Sequence, residues 1–208
     1  MSQLLARTFE RLEVRRDGDL LYVTLNHPEK ANALSPQMVD EIITVYEHPL
    51  RAEGIRAVIL AGAGKHFSAG ADLGYLAQLQ HAGEDDNRRD SERLRRIFAS
   101  VLYQEALTVA LVQGSCVAGG CGLATAHDYV IATEGARFMY SEVRIGFVAA
   151  LVATYLPLRV RGRDLRELLL DPQFIDAQRA LEIGLINRVV PEERLAAAGE
   201  ELVAGLLE

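Results

Sequence analysis

The stretch that decides the fold is Val112-Gln113-Gly114-Ser115-Cys116-Val117-Ala118-Gly119-Gly120-Cys121-Gly122-Leu123-Ala124-Thr125-Ala126-His127-Asp128. The apolar run at 108–112 predicts a buried strand that breaks at Gly114. Small residues follow, and Gly119-Gly120 opens a predicted helix. Because glycine lets a ligand approach the backbone and the first N–H groups of a helix lack partners, we predict the active site here.

Strands and helices alternate on both sides of this stretch, which predicts an α/β protein. An Asp17-Gly18 turn joins two apolar runs into a hairpin, and Ser35-Pro36 provides a helix cap followed by proline. The wholly apolar run at 57–61 is typical of a parallel strand buried on both faces. Further strands are predicted at 129–132 and 136–140, and helices at 35–48, 73–79, 88–107, 149–159, 164–170, 177–183 and from 192 onward, with a mobile break at 83–87.

The composition excludes several classes of function. The chain has 208 residues, half of them hydrophobic, which favours one domain with a real core. A net charge of −7 argues against a nucleic-acid or anionic-membrane binder. No long apolar window is present, so we expect no secretion signal, no membrane span and a cytoplasmic protein. The arginines at 88–96 alternate with acids, which favours a solvated helix face over a phosphate-contacting patch.

Most chemical motifs are incomplete. The run Gly62–Phe67 lacks the third glycine of a dinucleotide fingerprint and the full spacing of a phosphate loop. The two cysteines predict buried thiols, and no metal site is predicted. Structural roles are favoured for the five histidines, with His66 the one to watch beside a loop of small residues. Asp72 and Asp128 are each favoured as helix caps over general bases.

Two loops of small residues remain, at 68–72 and 118–122, together with one lone acid, Glu142. Each loop leads into a predicted helix. Two such loops can point backbone N–H groups at the same oxygen, which is the arrangement of an oxyanion hole. From the residues alone, the two loops suggest an oxyanion hole but do not form a specific motif.

These residues carry a resemblance to a known family. The stretches 27–34, 67–73, 114–128, 138–146 and 177–191 together resemble the crotonase, or enoyl-CoA hydratase/isomerase, family, in order along the chain. The resemblance implies a spiral of ββα units, an acyl-CoA ligand, and a homotrimer or hexamer. It implies a crotonase-fold core at residues 1–190, and a C-terminal helical region that begins at 191–208 and is shorter than the family's.

The resemblance also implies roles for individual residues. The two oxyanion donors fall on the N–H groups of Ala71 and Gly119, and the acid/base falls on Glu142. Coenzyme A is part of the substrate, and no other cofactor is implied. The implied substrate-binding residues are Lys30, Ala31, Ala33, Ala69, Asp72, Leu73, Gly74 and Gly122.

Gly122 departs from the family pattern, because hydratases of the family commonly carry a second glutamate at this position. With one carboxylate, Glu142 has to both activate water and protonate C2. The motif also resembles hydratases of branched, glutaconyl-CoA type, so a 2-enoyl-CoA hydratase is the leading expectation. A Δ3,Δ2-enoyl-CoA isomerase with a single glutamate, or a CoA-binding protein with weakened catalysis, stays open.

Overall fold

The computed structural model describes residues 4–208. Its larger sheet has six strands: β1 (Leu12–Asp17), β2 (Leu20–Leu25), β3 (Ala57–Gly62), β4 (Leu107–Val112), β6 (Tyr129–Thr133) and β9 (Arg188–Val190). They lie in the order β1-β2-β3-β4-β6-β9 across the sheet. Strands β1 and β2 form the predicted antiparallel hairpin, and the remaining neighbours are parallel.

A smaller sheet contains β5 (Ser115–Val117), β7 (Arg137–Met139) and β8 (Ile175–Asp176). Strand β5 is parallel to β7, and β8 is antiparallel to β7. The chain passes from the larger sheet to the smaller one at Gly114, whose φ is +59°. A Cβ there would lie 2.0 Å from the carbonyl oxygen of Lys65, so only glycine fits.

Seven α-helices surround the sheets within the described residues. They are α1 (Pro36–Tyr46), α2 (Leu73–Leu79), α3 (Glu84–Leu102), α4 (Gly119–Ala126), α5 (Gly162–Leu170), α6 (Ala177–Glu182) and α7 (Leu195–Leu207). Helix α1 begins as predicted, since Ser35 Oγ accepts a hydrogen bond from the N–H of Met38 at 3.3 Å. No helix described at residues 4–208 is long and apolar enough to cross a membrane.

Both faces of the larger sheet are covered, which explains the wholly apolar β3. Helices α1, α3 and α4 pack within the larger core on one face. On the other face, α7 packs Leu202 and Val203 against Ile59, Leu111 and other sheet residues. The alternation of β3 and β4 side chains between two cores fixes their pairing register.

Three predictions about helices were wrong. The break predicted at 83–87 lies at 80–83, because Gly83 is the N-cap of α3 and three acids occupy its positive first turn. That helix also ends at Leu102, since strand β4 starts at Leu107. The helix predicted at 149–159 is absent, and the 3₁₀ turns Val152–Thr154 and Leu156–Leu158 stand there. Pro157 has no N–H and disfavours helical geometry at the preceding residue.

Candidate active site

The two loops of small residues lie side by side. The N–H of Val117 donates to the carbonyl of Ser68 at 3.0 Å, and Ser68 forms a parallel bridge with Cys116. The 68–72 loop is held from its other side, because the N–H of Leu34 donates to the carbonyl of Gly70 at 2.7 Å. The predicted juxtaposition of the two loops is therefore present.

Glycine at two positions permits this close approach. Gly70 has a φ of +82°, and a Cβ there would lie 2.6 Å from the carbonyl oxygen of Val117. A Cβ on Gly120 would lie 2.8 Å from the Cβ of Ser68. Any larger residue at either position would push the loops apart.

The two predicted donors are the N–H groups of Ala71 and Gly119. Gly119 is the first residue of α4, where backbone N–H groups have no acceptor in the helix. Ala118 before it has φ +47° and ψ −120°, a strained geometry for a residue with a Cβ. Within residues 4–208, neither predicted donor is hydrogen-bonded to a backbone carbonyl outside the regular helices and strands. A ligand oxygen would therefore displace no backbone acceptor of this kind from either N–H group.

Glu142 lies at the same end of the smaller sheet as Gly119. Val117 and Met139 are paired in the parallel strands β5 and β7, so Gly119 and Glu142 follow the ends of neighbouring strands. The carboxylate oxygen Oε2 of Glu142 is enclosed and has no hydrogen-bond partner in the described part of the chain. Burial raises the pKa of Glu142, while the N–H groups of Glu142 itself and of Ser141 oppose the rise. Such a carboxyl group is suited to carry a proton.

The position of Gly122 is closed to a second carboxylate. A Cβ built there would lie 2.7 Å from Cγ1 of Val152 and 2.8 Å from Cε1 of Phe98. Both side chains are buried. In addition, the hydroxyl of Tyr155 donates to the carbonyl of Gly122 at 2.7 Å. The departure at this position is thus built into the surrounding packing.

The residues predicted to hold the substrate lie around the first loop. Lys30 Nζ is 3.3 Å from Asp72 Oδ2, and the carbonyl of Ala31 accepts from the N–H of Ala69 at 2.8 Å. Asp72 caps α2 as predicted, and the N–H of Tyr75 is the largest cause of its lowered pKa, with Lys30 adding to it. This brings Lys30, Ala31, Ala69 and Asp72 together.

Three other predicted binding residues flank this group, whereas Gly122 is buried in α4. Leu73 is 75% exposed at the start of α2, and it is followed by Gly74. Ala33 is buried beside Leu34, which forms a bridge with Ala71. Leu73 thus presents an exposed apolar side chain two residues after the predicted oxyanion donor Ala71.

Sequence reasoning placed Asn32 in a ligand-lining loop at 30–33 and missed its structural role, since it is fully buried and shapes the first loop. Its side-chain oxygen accepts from the N–H of His27 at 2.9 Å, and its Nδ2 donates to the carbonyls of Ala63 and His66, each at 2.9 Å. Its positive φ of +51° marks it as unusual, but this angle is a property of the folded loop and is not visible in the sequence. An amide that joins three segments is a structural requirement of the site.

The remaining candidates have structural roles. His127 Nδ1 donates to the carbonyl of Leu123 at 2.8 Å, so Nε2 accepts from the Tyr46 hydroxyl at 2.7 Å. Burial lowers the pKa of His127 to about 4. His66 accepts from the N–H of Ser115 at 3.1 Å. The capping role predicted for Asp128 was wrong, because its carboxylate instead accepts from the N–H and hydroxyl of Thr108 on β4, each at 2.9 Å.

Two further predictions concern cysteines and charges. Cys116 and Cys121 are buried free thiols, as predicted. The arginines of α3 are all in ion pairs, which supports the solvated face: Arg88–Asp85, Arg89–Asp86, Arg93–Asp40, Arg95–Glu92 and Arg96–Glu47. No cluster of three or more potential metal ligands occurs among residues 4–208.

Comparisons with known proteins show which sequences and structures this chain is similar to. A family model described as enoyl-CoA hydratase/isomerase matches residues 15–208. A Thermus thermophilus protein assigned as an enoyl-CoA hydratase is 43% identical over 188 residues, which are 88% of this chain and 74% of the relative. A peroxisomal Delta(3,5)-Delta(2,4)-dienoyl-CoA isomerase from Arabidopsis thaliana is 31% identical over 88% of this chain and 69% of its own length. The crystal structure of an enoyl-CoA hydratase from Shewanella pealeana superimposes with a TM-score of 0.93 at 31% identity, covering 100% of this chain and 78% of that one.

Proposed function

Because the chain belongs to the enoyl-CoA hydratase/isomerase family and has its crotonase fold, we propose that it hydrates a 2-enoyl-CoA thioester. Its similar relatives include proteins named as hydratases and as dienoyl-CoA isomerases, so the family alone leaves the reaction open. The proposal rests on the chemistry of three groups: the N–H of Ala71, the N–H of Gly119 and the carboxyl group of Glu142.

One observation carries the proposal. The Oε2 atom of Glu142 is enclosed without a hydrogen-bond partner among residues 4–208, and Glu142 and Gly119 follow the ends of the neighbouring strands β7 and β5. A buried polar atom without a partner costs about 1–3 kcal/mol, and a bound water or ligand that bonds to it removes this cost. A substrate that brings water and a thioester oxygen into the site would satisfy all three groups.

The proposed step uses Glu142 in its ionised form. The carboxylate takes a proton from water while the hydroxide oxygen bonds to C3 of the enoyl group. The electron pair of the C2–C3 double bond moves toward the thioester, and the N–H groups of Ala71 and Gly119 stabilise the resulting enolate oxygen. Glu142 then returns the proton to C2, so the product contains one added molecule of water and the enzyme is unchanged.

A second candidate function is isomerisation of a 3-enoyl-CoA. It is favoured by the closed position at Gly122, since moving a proton from C2 to C4 needs one carboxylate only. In that reaction Glu142 removes a C2 proton, the same two N–H groups hold the enolate, and the proton returns at C4. The two reactions therefore share every proposed group.

The experiment that tests the proposal supplies the purified protein with a 2-enoyl-CoA and, separately, with a 3-enoyl-CoA. The absorbance of the conjugated enoyl thioester is followed in each case. Hydration predicts a loss of absorbance with the first substrate, and isomerisation predicts a gain with the second. Binding of acyl-CoA with no change in either reaction would overturn both and favour a CoA-binding protein with weakened catalysis.

A further inference from the structure

We infer that Tyr155 is a positioning residue: its hydroxyl ties the segment that follows Glu142 to helix α4 and so holds Glu142 in register with the N–H of Gly119. The inference rests on the proposed function, in which these two groups act on the same substrate. Tyr155 lies in the segment 149–159, which sequence patterns wrongly assigned to a helix.

Glu142 and Gly119 belong to different parts of the chain, so something has to fix their separation. One connection is the smaller sheet, where the N–H of Ala118 donates to the carbonyl of Met139 at 2.7 Å. This bond lies on the side of Glu142 that precedes it in the chain. A second connection to α4 after Glu142 fixes the separation of Glu142 and Gly119 from the other side.

The turn directly after Glu142 is anchored away from α4, because Nη2 of Arg144 donates to the carbonyl of Pro172. Ile145, Phe147 and Val148, which follow, are 56%, 64% and 66% exposed. The chain becomes buried again at Ala149 and Val152, and then at Tyr155. Among residues 4–208, Tyr155 is the first residue after Glu142 whose side chain is hydrogen-bonded to α4.

The Tyr155 hydroxyl completes a path of hydrogen bonds between the two ends of the segment that contains Glu142. Tyr155 donates to the carbonyl of Gly122 at 2.7 Å, the N–H of Gly122 donates to the carbonyl of Ala118 at 3.1 Å, and the N–H of Ala118 donates to the carbonyl of Met139. Glu142 lies between Met139 and Tyr155 in the chain, and Gly119 directly follows Ala118.

The surroundings of Tyr155 support this role. Its ring packs against Phe98 at a centroid distance of 6.3 Å, and Phe98 and Val152 fill the space beside Gly122. Burial raises the pKa of Tyr155, and the nearby Glu142 carboxylate adds to the rise. Tyr155 is therefore a neutral hydroxyl, and it is bonded to the carbonyl of Gly122, the position at which the commoner family pattern has a second carboxylate.

The test compares Tyr155→Phe with Tyr46→Phe. Each variant keeps the aromatic ring and loses one buried hydroxyl that makes a 2.7 Å hydrogen bond. The Tyr155 hydroxyl bonds to Gly122 in α4, whereas the Tyr46 hydroxyl bonds to His127, the residue that caps the C-terminal end of α4. The first readout is the steady-state kinetics of the enoyl-CoA reaction. The second is the titration of the Glu142 carboxyl group by ¹³C NMR, with its signal assigned by its loss in Glu142→Gln.

We expect Tyr155→Phe to lower kcat by about 10- to 100-fold with little change in KM, since a small displacement of a reacting group has effects of this size. The Glu142 pKa should fall toward its ordinary value, because the released segment admits water. Its carboxyl group is the appropriate probe, since no side-chain charge contributes to its shift. Helix α5 packs on the turn that begins at Glu142, and its acids Asp164 and Glu167 are paired with Arg179.

Tyr46→Phe should change neither readout, although both variants are expected to lose some stability. An unchanged Glu142 titration in Tyr155→Phe, or an equal change in Tyr46→Phe, would overturn the inference. If the wild-type protein turns over no enoyl-CoA, the proposed function fails, and the carboxyl titration still decides whether Tyr155 holds Glu142.

Discussion

Gly122→Ala tests whether the place of a second carboxylate is closed. In a helix, alanine is favoured over glycine by about 1 kcal/mol, so the substitution would stabilise α4 if the added methyl group had room. The new Cβ would instead lie 2.7 Å from Val152 Cγ1 and 2.8 Å from Phe98 Cε1, and both neighbours are buried. Overpacking of this kind costs about 1–3 kcal/mol. The expected net effect is a loss of about 0–2 kcal/mol in the free energy of unfolding.

Gly205→Ala is the matched control, because it also lies in a helix but has nothing within 4 Å of its added Cβ. It should be neutral or stabilising by up to about 1 kcal/mol, with the smaller value favoured in a last helical turn. Urea denaturation of both variants gives the difference, which we expect to lie between 0 and about 3 kcal/mol, with Gly205→Ala the more stable variant. If Gly122→Ala were as stabilising as Gly205→Ala, then Phe98 and Val152 would not fill this space.

Three further predictions concern the reacting acid, the loops and the effect of pH. Glu142→Gln should lower turnover by about 10²- to 10⁴-fold and leave the Kd for acyl-CoA nearly unchanged by calorimetry, and unchanged turnover would remove Glu142 from the mechanism. Gly70→Ala should reduce the free energy of unfolding by at least about 2 kcal/mol, because of its φ of +82° and the 2.6 Å contact with Val117, and a neutral result in urea would contradict the loop geometry. Since burial lowers the pKa of His127 to about 4, the unfolded chain binds its proton more readily, and stability should fall by about 3 kcal/mol as the pH decreases from about 6.5 to about 4. His127→Gln should remove most of this dependence in urea titrations, and an unaltered dependence would show that His127 is not its source.

The features predicted correctly from sequence are those with local causes. The 68–72 and 118–122 loops, the Ser35 cap and the hairpin at Gly18 each depend on the conformational freedom or hydrogen bonding of a few neighbouring residues. The doubly buried β3 follows from its own apolar composition.

The features that sequence could not provide depend on contacts between distant residues. Phe98 and Val152 close the space at Gly122 from two other elements, and no local pattern relates them. Tyr155 was placed in a helix because its segment is apolar, although Pro157 prevents one, and its bond to Gly122 spans 33 residues. The enclosed oxygen of Glu142 likewise depends on packing around a short turn, and not on the residues beside it.

The central claim is that one carboxyl group, Glu142, does the work of proton transfer beside two backbone N–H groups. The pH dependence of kcat for the enoyl-CoA reaction tests it most directly. We predict a single ionisation, with the rate rising as the pH increases through the raised pKa of Glu142 and then remaining level. A bell-shaped profile with a second ionisation that limits the rate, or the same profile in Glu142→Gln, would show that another group shares the proton transfer and would contradict the account.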